Sequence, residues 1–217
     1  MAAPPDWLAN AVETMERSGA DVMIGKIVPE FEGGCGWGGL LPDPARWFGR
    51  VFALPDGAVV PTKREGHIPG AGSGNCVLRR RTTLHEPAPF DPAFGRIGGE
   101  DTDFLQRLGQ RGAVTVFSER AWMTEFVPAD RNTPEYLMRR NYRTSQQFVR
   151  IVAKNSPRPW LAACRHMATG VVQLALAVSR HAAANITGTD PVWARIAAAA
   201  ALGKVLWMRS DATGPYR

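Results

Sequence analysis

The sequence contains little cysteine, lysine and tyrosine, and its last part has few acidic residues. Three cysteines, Cys35, Cys76 and Cys164, lie far apart and form no C-x-x-C pair, and four histidines show no zinc-ligand spacing. These absences exclude a disulfide-stabilised miniprotein and a structural zinc site, and they favour a reducing compartment. The first residues have neither a basic flank nor an apolar run, so no secretory signal peptide is expected.

The net charge of +6 is concentrated in the C-terminal part of the chain. Residues 156–217 carry seven Lys or Arg against two Asp or Glu, whereas residues 1–155 are close to neutral. Such an excess permits binding to nucleic acid or to an anionic membrane and does not decide between them. The basic triplet Arg79-Arg-Arg81 lacks the interleaved aromatic residues of RNA-binding modules, so no nucleic-acid partner is expected.

The 217 residues are enough to bury a core, and their pattern alternates between helix and strand signals. This alternation predicts an α/β fold. Residues 33–74 are rich in glycine and proline and predict either a functional loop or lid, or a disordered connection. Helices are predicted between Asp6 and Gly19, from Glu100 towards Gly112, and from Thr133 to Asn155; strands are predicted at 21–28, 75–79, 114–117 and 122–127.

Three acids, Glu100, Asp101 and Asp103, follow Gly98-Gly99 in the first turn of a predicted helix. One interpretation is electrostatic, because carboxylates stabilise the positive end of a helix dipole. The other is catalytic: a carboxylate at this point can act as the general base for a sugar hydroxyl when it is aligned with the electrophile. The triplet alone leaves both interpretations open.

The motifs around the triplet add information through their order and spacing. They are Gly74-Asn75-x-x-x-Arg79, Phe90-Asp91, Gly98-Gly-Glu-Asp-Thr-Asp-Phe104, Val127-Pro128-x-x-Arg131 and Tyr142-Arg143. Together they resemble the acceptor-side part of a family 2 glycosyltransferase of the GT-A fold, of the bacterial exopolysaccharide type. The resemblance covers about residues 4–150, and the Gly-Gly-Glu-Asp-x-Asp-Phe segment is its most specific element.

The resemblance implies roles for individual residues. Asp101 matches the aspartate that deprotonates the acceptor hydroxyl, and Glu100 matches the acid that shapes the acceptor pocket. Asn75 and Arg79 fall on the strand that faces the sugar and diphosphate. The remaining substrate-side positions are Asp103, which is expected to brace the helix start by hydrogen bonding, and Arg131, which either approaches phosphates or the membrane or belongs to a solvated basic face.

The resemblance also implies a divalent metal, Mg²⁺ or Mn²⁺, beside the leaving diphosphate. Glu125 falls where many relatives have a histidine near this metal, and it is either a ligand or a structural carboxylate. Hard cations prefer oxygen ligands, so glutamate is chemically suitable there. The Asp-x-Asp metal motif of the family is not found at the expected place, since Asp101-Thr-Asp103 belongs to the acceptor-side motif.

The implied reaction is an inverting transfer from a nucleotide-diphosphate sugar to a saccharide or lipid-linked acceptor. The expected fold is an incomplete, Rossmann-like GT-A domain at residues 1–155 that lacks the N-terminal nucleotide-binding part. The chain therefore reads as the C-terminal part of an enzyme, whether through a miscalled start, a fragment or a genuine remnant. The alternative function is a non-catalytic remnant or a membrane-peripheral interaction module.

Residues 156–217 form a second predicted region, a basic and apolar helical hairpin. The apolar stretches run from Trp160 to Ser179 and from Val192 to Met208, with Trp and Arg at their ends. They suit either a membrane interface or an ordinary hairpin packed on the body. The expected location is the cytoplasm, peripheral to the inner face of the cytoplasmic membrane, with membrane contact through residues 160–209.

Overall fold

A computed structural model describes residues 1–34, 45–85, 88–95, 97–189 and 191–209. Its described residues fall into two compact units. The first contains those before residue 93 together with residues 100–127, and the second contains those at 93–99 and from 128 onward. The division of the chain into two domains at residue 155 stays a prediction.

The first unit is built on a mixed three-stranded sheet in the order β2-β1-β3. The strands are β1 (Val22–Phe31), β2 (Cys76–Leu78) and β3 (Thr115–Val127). The long strands β1 and β3 are parallel, from the pair Val22 with Thr115 to the pair Phe31 with Val127, and β2 is antiparallel to β1. Beyond Ile24, β1 does not pair with β2. Pro29, which has no backbone N–H, therefore interrupts no hydrogen bonds between these two strands.

The two short strands predicted at 114–117 and 122–127 are one continuous strand, so the prediction of two separate strands is wrong. The register between β1 and β3 shifts between Gly25 and Ile27, where Gly25 pairs with Ser118 and Ile27 pairs with Met123. The extra residues of β3 form a bulge, and the sequence pattern is interrupted at the same place. The other two predicted strands correspond to β1 and β2.

Both faces of the sheet are covered by helices, as an α/β arrangement requires. Helix α1 (Trp7–Ser18) buries Ala11 and Met15 against Met23 and Val116. On alternate β1 positions, Val22 and Ile24 belong to the cluster that also contains Phe104, Leu105 and Leu108 of α4 (Glu100–Gln110). Two short helices, α2 (Ala45–Phe48) and α3 (Arg80–Thr83), lie in the connections.

The C-terminal end predicted for α1 is confirmed by its backbone geometry, whereas the side chain of Asp6 makes no capping hydrogen bond at its start. Helix α1 begins after Asp6 and ends at Gly19, whose φ of 63° is the left-handed value that glycine adopts readily. Leu8 and Val12 lie on the exposed side of α1. The buried face of α1 consists of Ala11 and Met15 with the polar Asn10 and Thr14, and Trp7 packs partly buried against the same cluster.

The second unit is helical and consists of α5 (Pro134–Lys154), α6 (Pro159–Thr187) and α7 (Val192–Val205). Thr133 caps α5 by accepting a hydrogen bond from the N–H of Tyr136 at 3.2 Å, as its place before Pro134 predicts. A Cβ on Gly203 of α7 would overlap the carbonyl oxygen of Tyr142, so α5 and α7 pack with almost no space between them. Helix α6 continues past Ser179, where the apolar stretch was predicted to end, because the alanines after His181 are strong helix formers.

We expect Gly25→Ala to destabilise the first unit by about 3 kcal/mol or more, because overpacked sites cannot relax around backbone atoms. A Cβ at this position would overlap the carbonyl oxygen of Ala121 and the side-chain amide of Asn75. Urea denaturation followed by circular dichroism measures the change.

Gly72→Ala is the matched control, because a Cβ there meets its nearest atom at an ordinary 3.4 Å. Equal stability of the two alanine variants would contradict the proposed close approach at Gly25.

Candidate functional site

The carboxylate of Asp101 lies in the first turn of α4 and is held by the loop that precedes β2. Its Oδ2 accepts hydrogen bonds from the backbone N–H of Ser73 at 2.8 Å and from the Ser73 hydroxyl at 3.1 Å. Its Oδ1 accepts from the N–H of Thr102 at 2.7 Å and from the Thr102 hydroxyl at 3.3 Å. Two backbone donors fix the carboxylate, while the two hydroxyl donors can rotate away and leave a lone pair for an incoming hydroxyl.

Glu100 and Asp103 share the first turn of α4 with Asp101, as the sequence predicts. Glu100 is the first residue of the helix and is partly exposed. Gly98 and Gly99 precede it with φ values of 77° and 95°, which glycine adopts without strain. The turn from this glycine pair into the helix therefore depends on the absence of side chains.

The loop that holds Asp101, residues 70–75, is itself held by Arg50. Nε of Arg50 donates to the carbonyl of Gly70 at 2.8 Å, and one terminal nitrogen donates to Gly74 at 2.7 Å and to Asn75 at 3.2 Å. Longer hydrogen bonds of 3.4 and 3.5 Å reach Gly25 and Gly72. The planar guanidinium thus holds the whole loop through several nitrogens at once. A lysine ammonium has a single nitrogen and cannot donate in all of these directions.

Arg50 also brings three other ionisable groups into one electrostatic cluster. Burial lowers the pKa of its guanidinium, and the neighbouring Cys76, Asp101 and Glu125 act in the opposite direction. The ordinary pKa of arginine is so high that Arg50 stays cationic at neutral pH. Burial raises the pKa of the Cys76 thiol to about 11, so Cys76 is a protonated thiol there and is not a nucleophile.

The side chain of Asn75 is buried and fully used by the protein. Its Nδ2 donates to the carbonyls of Lys26 at 2.8 Å and Ala121 at 2.7 Å, and its Oδ1 accepts from the indole of Trp7 at 2.9 Å. Only 5% of the residue is exposed, and its φ of 47° is a left-handed value that asparagine tolerates. The structure therefore places Asn75 as a support beneath the loop, and substrate contact stays a prediction.

Arg79 and Asp103 are likewise engaged in contacts that hold the first unit together. Arg79 donates to the carbonyls of Ala20 at 2.9 Å and Met15 at 3.0 Å, and to the Glu16 carboxylate at 3.1 Å, so it binds the C-terminal end of α1. Asp103 is fully buried and forms an ion pair with Arg107 one helical turn later, at 3.2 Å. Both side chains therefore have structural partners within the first unit, and direct substrate contact stays a prediction for both residues.

Glu125 belongs to the first unit and Arg131 to the second. Glu125 is on β3 opposite Pro29 and is half-buried, and Arg131 is exposed in a turn of the second unit. Within the described ranges, no group of three His, Cys, Asp or Glu side chains is arranged to hold a metal ion. Glu125 as a metal ligand stays a prediction, and no chemical step is assigned to a metal here.

Sequence reasoning missed Arg50 and Ser73. Arg50 lies in an irregular segment without periodicity, and its partners are 20 to 25 residues away, so no local pattern marks it. Ser73 lies in the run Gly70-Ala-Gly-Ser-Gly74, which was interpreted only as a flexible lead into β2. A hydroxyl-bearing residue within a glycine-rich run was the one available signal.

Comparison with known proteins gives one informative similarity. The chain is 28% identical over 151 residues to the succinoglycan biosynthesis protein ExoM of Rhizobium meliloti (strain 1021). The aligned region is 70% of this chain and 45% of ExoM, so the chain matches less than half the length of that relative. No family model and no solved structure matches the chain.

We expect Arg50→Lys to loosen the 70–75 loop and to lower stability by about 1–3 kcal/mol, because several partly buried carbonyls lose their donor. Hydrogen exchange of the Ser73 amide, which donates to Asp101, should accelerate together with its neighbours. Mass spectrometry of exchanged peptides and thermal denaturation measure the two effects.

Arg17→Lys is the control, since Arg17 is half exposed and pairs with Asp56 at the surface at 2.8 Å. A lysine can keep that pair, so stability should change little. If Arg50→Lys behaves like the control, Arg50 does not organise the loop.

Proposed function

We propose that the chain is the acceptor-side part of a glycosyltransferase that acts in the synthesis of a surface polysaccharide or glycolipid. The similarity to ExoM supports the biological process, because the name of that protein assigns it to succinoglycan biosynthesis. The motif Gly98–Phe104 and its flanking motifs support the reaction class. The observation that carries the proposal is the Asp101 carboxylate, fixed by backbone donors yet open to exchange of its hydroxyl donors.

The proposed reaction is an inverting, single displacement. A hydroxyl of a saccharide or lipid-linked acceptor displaces the Ser73 or Thr102 hydroxyl and hydrogen bonds to Asp101. Asp101 accepts its proton while the acceptor oxygen forms a bond to the anomeric carbon of a nucleotide-diphosphate sugar. The bond from that carbon to the diphosphate breaks, and the nucleoside diphosphate leaves with the electron pair.

The other residues prepare this step by holding Asp101 in place. Arg50 orients the loop that carries Ser73, and Asn75 anchors the same loop to the sheet. Such preorganisation matters because small displacements of a general base reduce the rate strongly. Glu100 is proposed to shape the acceptor pocket from the start of α4, and Arg131 to interact with phosphate groups.

Binding of the sugar donor and dependence on a metal are proposed from the family resemblance alone. The resemblance places the nucleotide in a further Rossmann-like part, and this chain corresponds to 45% of ExoM. Mg²⁺ or Mn²⁺ would neutralise charge on the leaving diphosphate, with Glu125 as one candidate ligand. The proposed location is the cytoplasmic face of the membrane, where a lipid-linked acceptor is accessible.

We expect Asp101→Asn, introduced into the gene in its own cells, to reduce sugar transfer by about a hundredfold or more through loss of the general base. The amide keeps the shape of the side chain and can still accept one of the two backbone hydrogen bonds, at a partly exposed position, so the amount of folded protein should change little. Incorporation of labelled sugar into polysaccharide by isolated membranes measures transfer, and immunoblotting measures the protein.

Glu119→Gln is the matched control, because it also neutralises one carboxylate but lies at an exposed ion pair with Lys26. Undiminished transfer by Asp101→Asn would overturn the assignment of the base. Undiminished transfer after deletion of the whole gene would favour the non-catalytic alternative.

A further inference from the structure

Helix α6 exposes an unusually apolar surface over its whole length. Of the described helices, it is the one that is long and apolar enough to cross a membrane, with a mean hydropathy of 1.4 in its most apolar window. Only 22% of that window is buried. Its exposed side chains include Leu161, Val171, Val178 and Ile186, with exposed fractions of 61%, 56%, 58% and 86%.

The exposed surface of α6 divides into two stripes. Three- and four-residue steps place one set of positions on one side of the helix, which we call the apolar stripe: Leu161, Ala168, Val171, Ala175, Val178 and Ile186. A neighbouring stripe, called the polar stripe because it holds both arginines, contains Arg165, Thr169, Gln173 and Arg180, with the exposed Val172 and Leu176 among them. The third side, with Gly170 and Ala177, is buried in the second unit. The surface of α6 is therefore amphipathic although its overall composition is apolar.

The charges on these helices have one sign. Neither α6 nor α7 contains an aspartate or glutamate, and their charged residues are Arg165, Arg180, Arg195 and Lys204. Apolar side chains flanked only by cations are complementary to a bilayer with anionic headgroups, where each surface cation adds about 1 kcal/mol of attraction. An acidic protein partner would form ion pairs with the cations but would leave the apolar stripe exposed to water along the whole helix.

The positions of the arginines distinguish lying on a bilayer from crossing it. Arg165 and Arg180 are 15 residues apart, about 22 Å along a helix, whereas the hydrocarbon core is about 30 Å thick. A crossing α6 would place at least one arginine within hydrocarbon. Its packing partner α7 has 14 residues, about 21 Å, and is also too short to cross.

We propose that α6 lies in the plane of an anionic membrane, with its apolar stripe inserted between the acyl chains and Arg165 and Arg180 at the headgroups. This inference rests on the membrane location included in the proposed function and names the surface and lipid chemistry responsible. The surface belongs entirely to the second unit and is separate from the Asp101 site.

The experiment measures binding of the whole chain to vesicles of phosphatidylcholine with and without phosphatidylglycerol. Binding is expected only with phosphatidylglycerol and should weaken with added salt. The double variant Val171→Glu/Val178→Glu should bind about tenfold more weakly than Thr169→Glu/Gln173→Glu, which changes the charge equally but lies on the polar stripe. All four positions are exposed, so thermal denaturation should confirm that both variants fold.

Three results would overturn the inference. Equal binding by the two double variants would show that the apolar stripe does not insert. Resistance of the native protein to alkaline carbonate extraction from cell membranes would indicate a spanning helix. A dimer in sedimentation velocity that Val171→Glu/Val178→Glu dissociates, without vesicle binding by the parent chain, would show that the stripe pairs two copies.

The vesicle measurement uses no sugar donor, so it is independent of catalysis. Asp101→Asn should bind vesicles like the parent chain. If this variant keeps vesicle binding and also keeps full sugar transfer, the proposed function fails while the membrane inference stands.

Discussion

The amide of Asn75 is the interaction on which the first unit depends. At the point where β1 and β3 lose their common register, the Asn75 NH₂ group donates to one backbone carbonyl of each strand, those of Lys26 and Ala121. A buried carbonyl without a donor is costly, so the bulge is tolerable only with this side chain present. Gly25 makes the approach possible because it has no Cβ, and Trp7 ties α1 to the same amide.

The same junction supports the candidate site. The carbonyl of Asn75 accepts from Arg50, Arg50 holds the glycine-rich loop, and Ser73 of that loop fixes Asp101. Sheet, loop and carboxylate are thus connected by consecutive hydrogen bonds, which are partly buried at Arg50 and exposed between Ser73 and Asp101. A general base supported in this way keeps its direction before substrate arrives, which is the physical requirement for efficient proton transfer.

Elements with local signals were predictable from the sequence, and contacts between distant residues were not. The cap of α5 at Thr133 and the left-handed Gly19 depend on neighbours within a few positions, and both are confirmed. The β3 bulge and the hydrogen bonds of Asn75 and Arg79 join residues far apart in sequence, so pattern reasoning had no access to them. The resemblance assigned Asn75 and Arg79 to substrate contact, which stays a prediction, and the structure shows both side chains bonded to backbone carbonyls of the first unit.

The raised pKa of Cys76 has a practical consequence for chemical labelling. With a value of about 11, less than about one thiol in a thousand is ionised at neutral pH, so alkylating reagents react with it slowly. Cys164, by contrast, is exposed on α6. Of the two cysteines in the described part of the chain, Cys164 is therefore the natural attachment point for a fluorescent reporter beside the apolar stripe.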